Sequence, residues 1–303
     1  CSVLRKGKYV GTVDVANTTK EQMSEMMVGR KVSFILDKED EKPGAVVLEL
    51  KNLSMKSAHS NKQAVHDVSF TARAGEILCI AGIDGNGQSE LVYGITGLEP
   101  VQEGEIRLNG EDITKTSIRH RNIKGMVHIP EDRHKHGLVL DYTLQENLVL
   151  QTYYTKRFQK FGFLKFPAIN QYAKELIEKY DIRSSKGPTS MARGMSGGNQ
   201  QKAIIARELD RSPKLVVAVQ PVRGLDVGAI EYIHKQLIKQ RDEGKAVLLV
   251  SLELDEVMNV SDRILVMYEG EIVADVDPKE VTIQELGLYM AGTKRGVSNE
   301  SKN

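Results

Sequence analysis

The chain has 303 residues, with 42 lysines and arginines against 41 acids, for a formal net charge of +1. That length builds one large or two ordinary domains, and the balanced charge excludes a strong general pull toward nucleic acid or anionic lipid. Two cysteines, Cys1 and Cys79, make no disulfide framework, and apolar runs such as 246–252 fall well short of the ~20 residues that span a bilayer, so a reducing cytosol and at most a peripheral membrane role are expected.

The opening residues carry a basic cluster with no apolar segment behind it, so no secretion signal is expected. The stretch "KGKYVGTVDVANTTKEQMSEMMVGR" then aligns without a gap on "EGEIVADVDPKEVTIQELGLYMAGT" at 269–293. Gly7 meets Gly270, an offset of 263, and Val10, Asp14, Thr19, Met27 and Gly29 meet identical residues. Each copy reads as a glycine turn, a short strand and a capped amphipathic helix. Residues 1–37 are therefore read as the tail of a preceding, truncated unit, and Cys1 aligns with Ile264, inside a predicted strand. Residues 38–44 read as a linker, 45–293 as a complete second unit, and 294–303 as a polar tail.

In the second unit, strands are predicted at 46–53 and 66–72, then a buried strand "EILCIAG" holding Cys79 as a structural thiol. The loop "AGIDGNGQSE" follows and leads into the helical pattern "QSELVYGITGL". Gly82, Gly87 and Ser89 fit the phosphate-loop spacing G-x-x-x-x-G-K-[ST], but Gln88 stands at the lysine position. Strands are expected at 104–108 and 124–129, and helical character from 142 to 190, with Ile169, Tyr172, Leu176, Ile177 and Tyr180 on one face. Strands return at 214–219, 246–250 and 263–268, separated by helices, which implies a parallel sheet covered by helices.

Two clusters invite other readings. His120, His128, His134 and His136 lie close together, but no supporting cysteine or carboxylate spacing accompanies them, so a solvated loop is favoured and no metal is expected. Phe158, Phe161, Phe163 and Phe166 alternate with lysines. That pattern suits nucleic acid or lipid headgroups, but packing in the core of the helical segment together with docking on a partner protein is the favoured reading.

At 195–226 stands "MSGGNQQKAIIARELDRSPKLVVAVQPVRGLD". The Ser196-Gly197-Gly198 turn opens an apolar-periodic helix that Ser196 can cap, and its glycines let backbone N–H groups approach an anion. With the glycine loop, the following strand and "PVRGLD", this resembles the ATP-binding-cassette ATPases over essentially the whole chain. "SGGNQQK" with "IPEDR…GLVL" looks like the second cassette of tandem importer ATPases for nucleosides or ribose-type sugars, with nucleoside importers the nearer match.

The resemblance implies an α/β phosphate-loop cassette fold with a mostly parallel core sheet, a small antiparallel β subdomain and a helical subdomain near 142–195. It implies ATP and Mg²⁺ as cofactors, and as partners a first cassette of the same chain, transmembrane permease subunits and, indirectly, a substrate-binding lipoprotein, with no nucleic acid. The place implied is the cytoplasmic face of a bacterial plasma membrane. Gly82, Gly85, Asn86, Gly87, Gln88, Ser89 and Glu90 match the family's nucleotide loop, Ser196, Gly197, Gly198, Asn199 and Gln200 its signature, and Asp226 its D-loop. The loop lysine corresponds to Gln88, the magnesium-holding aspartate to Val219, the catalytic glutamate to Gln220 and the switch histidine to Leu252. An adenine-stacking aromatic is expected near 55–62, where only His59 offers a ring, and Glu131 falls near the family's Q-loop.

These departures all sit at the chemistry. A lost charge-assisted phosphate contact costs about 1.5–3 kcal/mol, a missing general base on the order of 10²–10⁴ in rate, and valine offers no oxygen to a hard cation. The chain alone is expected to be inactive, with its signature completing the competent site of the first cassette. A non-catalytic regulatory subunit is the alternative from another class. A phosphate-loop kinase is disfavoured by Gln88 and Val219.

Overall fold

The computed structural model describes residues 1–5, 7–29, 38–57 and 62–296. It opens on a hairpin of β1 (Ser2–Arg5) and β2 (Lys8–Thr12), followed by α1 (Lys20–Val28). Residues 38–44 lead to β3 (Val46–Lys56), β4 (Gln63–Arg73) and β5 (Ile77–Ala81). Next come α2 (Gln88–Thr96), β6 (Glu103–Leu108), β7 (Glu111–Asp112), α3 (Ile118–Ile123), β8 (Met126–Ile129) and α4 (Leu144–Val149). A small hairpin, β9 (Gln159–Lys160) and β10 (Phe163–Leu164), precedes α5 (Phe166–Lys179) and α6 (Gly197–Leu209). The chain continues through β11 (Leu215–Val219), α7 (Val227–Asp242), β12 (Ala246–Ser251), α8 (Leu254–Val260), β13 (Arg263–Tyr268), β14 (Glu271–Val276) and α9 (Ile283–Met290).

A six-stranded sheet runs β14-β13-β5-β12-β11-β8, all parallel except the terminal pair β13–β14. A second, antiparallel sheet runs β4-β3-β6-β7. The central strands are buried at every position, and apolar at all but Ser251, because both faces are covered, as parallel sheets require. The period of two then splits each strand between two cores. Ile77, Cys79 and Ala81 face the helices, while Leu78 and Ile80 join Leu50, Phe70 and Leu91 under the antiparallel sheet. Each such fully buried aliphatic contributes roughly 1.5–3 kcal/mol. Burial pushes the Cys79 thiol up to about 12, so it stays an unreactive core residue.

The helical expectation for 142–190 needs correcting. Only α4, α5 and one 3₁₀ turn, Gly187–Thr189, are helical there, and 159–164 is a two-stranded hairpin. The expected aromatic quartet also divides. Phe158 is buried against Tyr172, whereas Phe161, Phe163 and Phe166 are exposed. On α5, Ile169, Tyr172 and Leu176 are buried as the helical period predicts.

The sequence repeat is also a repeat of register. Ser2↔Thr12, Val3↔Gly11, Leu4↔Tyr9 and Arg5↔Lys8 correspond to Leu265↔Asp275, Val266↔Ala274, Met267↔Ile272 and Tyr268↔Glu271, and the irregularity falls at the same step. Both helices that follow carry a capping box, Thr19 with Gln22 and Thr282 with Glu285. The copies differ in cover. Leu4 is 64% and Met27 52% exposed, while their counterparts Met267 and Met290 are buried.

Candidate functional site at the C-terminal edge of the sheet

In parallel α/β sheets, ligand-binding loops gather beyond the C-terminal ends of the strands. Here Val219 pairs with Val250, and Ser251 with Ala81. The exits of β11, β12 and β5 are therefore neighbours, and they carry Gln220, Leu252 and the glycine loop respectively. All four departing positions, Gln88, Val219, Gln220 and Leu252, converge on one edge. Val219 is buried, and Gln220 takes a left-handed backbone (φ 42) while its N–H donates to Val250 O.

The glycine loop is shaped for close approach. Gly87 has φ +99, and a Cβ there would overlap the Ala64 carbonyl. Asn86 ties the loop to the β13–β14 turn, its Oδ1 accepting from Glu269 N at 2.8 Å and its carbonyl accepting from Gly270 N at 3.0 Å. Gln88 is 5% exposed and turned inward. Its Oε1 accepts from Asn86 N and its Nε2 donates to Ile83 O, both at 3.1 Å. Gln88 thus spends its amide on stitching the loop and occupies one of the N–H groups that a phosphate would use. Gly82 lies against the Gln88 amide and Met267 O, Ser89 and Glu90 open α2 half-buried, and Gly85 is exposed. Valine and two glutamine amides provide no carboxylate for Mg²⁺, so the residues at this edge do not fit the ion. Among the described residues no cluster of three His, Cys, Asp or Glu groups could hold a metal. His59 lies outside the described residues.

The signature turn is built differently. Ser196 is the N-cap of α6 but its side chain makes no capping bond, contrary to expectation, because Asn199 Nδ2 donates to Ser196 Oγ at 2.9 Å. Asn199 Oδ1 in turn accepts from Arg183 N at 2.7 Å. Among the described residues, the backbone N–H groups of Gly197, Gly198 and Asn199 have no acceptor. Three uncapped donors at the positive end of a 13-residue helix form an anion-binding surface. Gln200 faces the other way. It is buried, its Nε2 donating to Ala192 O and its Oε1 bonded to His134 Nε2. Asp226 caps α7 by accepting from Ala229 N, and its second oxygen lies 3.6 Å from where Gly198 would carry a Cβ.

Sequence reasoning missed two arginines here. An open cavity of about 410 Å³ beside the turn is lined by Glu131, Asp132, Arg133, His134, Arg223 and Gly224. Arg223 pairs with Glu131, and Arg133 Nη1 donates to Arg223 O at 2.8 Å. "PEDR" and "PVRG" were the signals, but their meeting depends on the fold. The buried Arg207, which donates to Gly137 O and pairs with Glu208, fixes the first of these loops to α6.

Beneath that loop, His128 on β8 is held down to about 4, by burial first and then by His136 and Arg207. The unfolded chain takes up this proton near its ordinary value of 6.5, so stability present above pH 6.5 is lost as pH falls toward 4. The loss is about 2 kcal/mol, discounted because the ring keeps some solvent contact. Urea midpoints taken across that range are expected to fall for the native chain and to flatten for His128→Gln; parallel curves would exclude His128 as the source.

The family model described as "ABC transporter" matches residues 65–222. The chain is 52% identical over 291 residues to the nucleoside import ATP-binding protein NupA of Lactococcus lactis, covering 96% of this chain and 57% of that protein. It is likewise 52% identical over 292 residues to the guanosine import ATP-binding protein NupO of Bacillus subtilis, with the same coverage of 96% and 57%. The chain thus spans a little over half the length of these curated relatives. Its fold is similar to the ADP conformation of MJ1267, an ATP-binding cassette of an ABC transporter, with TM-score 0.64 and 22% identity, covering 82% of this chain and 96% of that one.

Proposed function

The chain belongs to the ABC transporter family of ATP-binding proteins, and on that premise we propose that it is the second, hydrolytically degenerate cassette of an importer that takes up nucleosides. The observation that carries this reading is the contrast at its two motifs. Both helix starts leave backbone N–H groups without acceptors, but at the glycine loop Gln88 stands in place of the cation and takes up Asn86 N, and Val219 and Gln220 stand in place of the carboxylates, while the signature residues Ser196–Asn199 are all kept. The turn binds phosphate oxygens of ATP held by a first cassette, Asp226 fixes the adjoining loop by capping α7, and Arg133 and Arg223 add positive charge beside it. Mg²⁺ bound with that ATP would neutralise phosphate charge, and its ligands belong to the first cassette.

The tandem arrangement is supported by the register repeat at residues 2–12 and 265–275. Leu4 and Met27 are exposed where Met267 and Met290 are covered by this cassette, which fits a hairpin that belongs to a first cassette's core. Permease subunits and a substrate-binding lipoprotein complete the assembly at the cytoplasmic membrane face, and no helix among the described residues is long and apolar enough to cross a membrane. The nucleoside assignment is supported by the 52% identity to two nucleoside-type importers.

Uptake of radiolabelled nucleosides and of ribose, compared in cells with and without the intact protein, tests the substrate. Nucleoside uptake is expected to vanish with the protein while ribose uptake is unchanged. The opposite pattern would replace the nucleoside by a sugar, and no change in either would remove the importer reading.

A further inference from the structure

The hairpin at 159–164 has a form its own fold does not explain. Phe161 and Gly162 make its two-residue turn with φ 54 and 85, the doubly left-handed turn that asparagine and glycine favour. A phenylalanine there is strained, and this one is also 88% exposed. Phe163 beside it is 79% exposed, and Phe166 and Leu164 extend the apolar tip. Strain and exposure together at one aromatic, with no burial in return, point to a contact outside the chain.

The surrounding charge says what kind. Residues 147–174 contain Lys156, Arg157, Lys160, Lys165 and Lys174 and no acid, in a chain whose net charge is only +1. Arg157 pairs with Glu175 and lies 4.4 Å over the Tyr172 ring. Among the described residues Lys156, Lys160 and Lys165 have no carboxylate partner. Lysine is depleted from protein–protein contacts, whereas lysines ringing an apolar tip suit an anionic lipid surface.

We infer that this hairpin is a membrane-contact knob, seating Phe161 and Phe163 among the acyl-chain ends of an anionic leaflet while Lys156, Lys160 and Lys165 meet its headgroups. The inference rests on the membrane-face placement proposed above, but its test needs neither nucleotide nor transport, so the two can fail separately.

The chain contains no tryptophan, so Phe161→Trp is a single fluorescent reporter. With vesicles of phosphatidylglycerol and phosphatidylcholine in equal parts its emission is expected to shift to the blue, with quenching by brominated acyl chains. Phosphatidylcholine alone, or high salt, is expected to abolish the shift. Changing Lys156, Lys160 and Lys165 to glutamine is expected to lower partitioning by about 10²-fold. Phe161→Asn is expected to raise Tm while weakening vesicle binding, because asparagine tolerates the left-handed turn. An unshifted spectrum, equal binding to uncharged vesicles, quenching only when permease is present, or a lowered Tm for Phe161→Asn would each overturn the inference.

Discussion

Ser196→Arg in the assembled transporter is expected to lower ATP turnover by about 10²–10³-fold, the loss typical when preorganised donors to a reacting anion are removed. The site tolerates the substitution structurally. Ser196 is exposed, its backbone is extended (φ −66, ψ 154), and among the described residues its side chain hydrogen-bonds Asn199 alone. A guanidinium placed before Gly197 blocks approach to the three free N–H groups without unfolding α6. Gln88→Ala tests the other motif. It breaks two loop bonds at a stability cost of about 1–2 kcal/mol, but removes no charge from a phosphate, so turnover is expected to fall less than about tenfold. The 303-residue chain alone is expected to show no turnover above background. Equal losses from the two substitutions, or robust turnover by the chain alone, would refute the division of labour between the motifs.

What the sequence revealed, and what it hid, follows from the range of the interactions involved. Strands β5, β11 and β12 were legible because five consecutive apolar residues between turn signals leave few alternatives. The repeat was legible because glycine turns and capping boxes are local, and its register then follows from pairing geometry. The hairpin at 159–164 was hidden because each strand has only two residues and the lysine–phenylalanine alternation blends into the helical pattern beside it. At the site, the missing lysine was plain, but the inward fold of Gln88 depends on Asn86 and Ile83 being brought round by the loop. The preference of Ser196 Oγ for Asn199 over a capping bond depends on Arg183 N holding Asn199, a contact across 16 residues. Residue types predicted which chemistry was lost; only the tertiary partners say what the replacements do.

The linker expected at 38–44 is held by a buried carboxylate that joins three partners, and removing that charge is expected to cost stability heavily. The Asp262 carboxylate is 1% exposed. Its Oδ2 accepts from Ile77 N at the start of β5, and its Oδ1 meets Lys38 Nζ and Arg241 Nη1, each at 2.9 Å. Arg241 is equally buried and also donates to Glu39 O, so one acid joins the central sheet, the end of α7 and the linker. Asp262→Ala leaves the buried Arg241 guanidinium with the part-exposed Asp242 as its remaining acid, and leaves a buried N–H without its acceptor. Breaking a buried pair from one side costs about 3–5 kcal/mol, far more than an exposed ion pair is worth, because the remaining charge stays out of water with less compensation. In a domain of this size that lowers Tm by about 10 °C. Asp262→Asn keeps an acceptor for Ile77 N and is expected to lose less, while faster amide exchange at residues 38–42 is expected in both variants. A loss under about 1 kcal/mol for the alanine variant would mean that Asp242, which also pairs with Arg241, is enough to hold it.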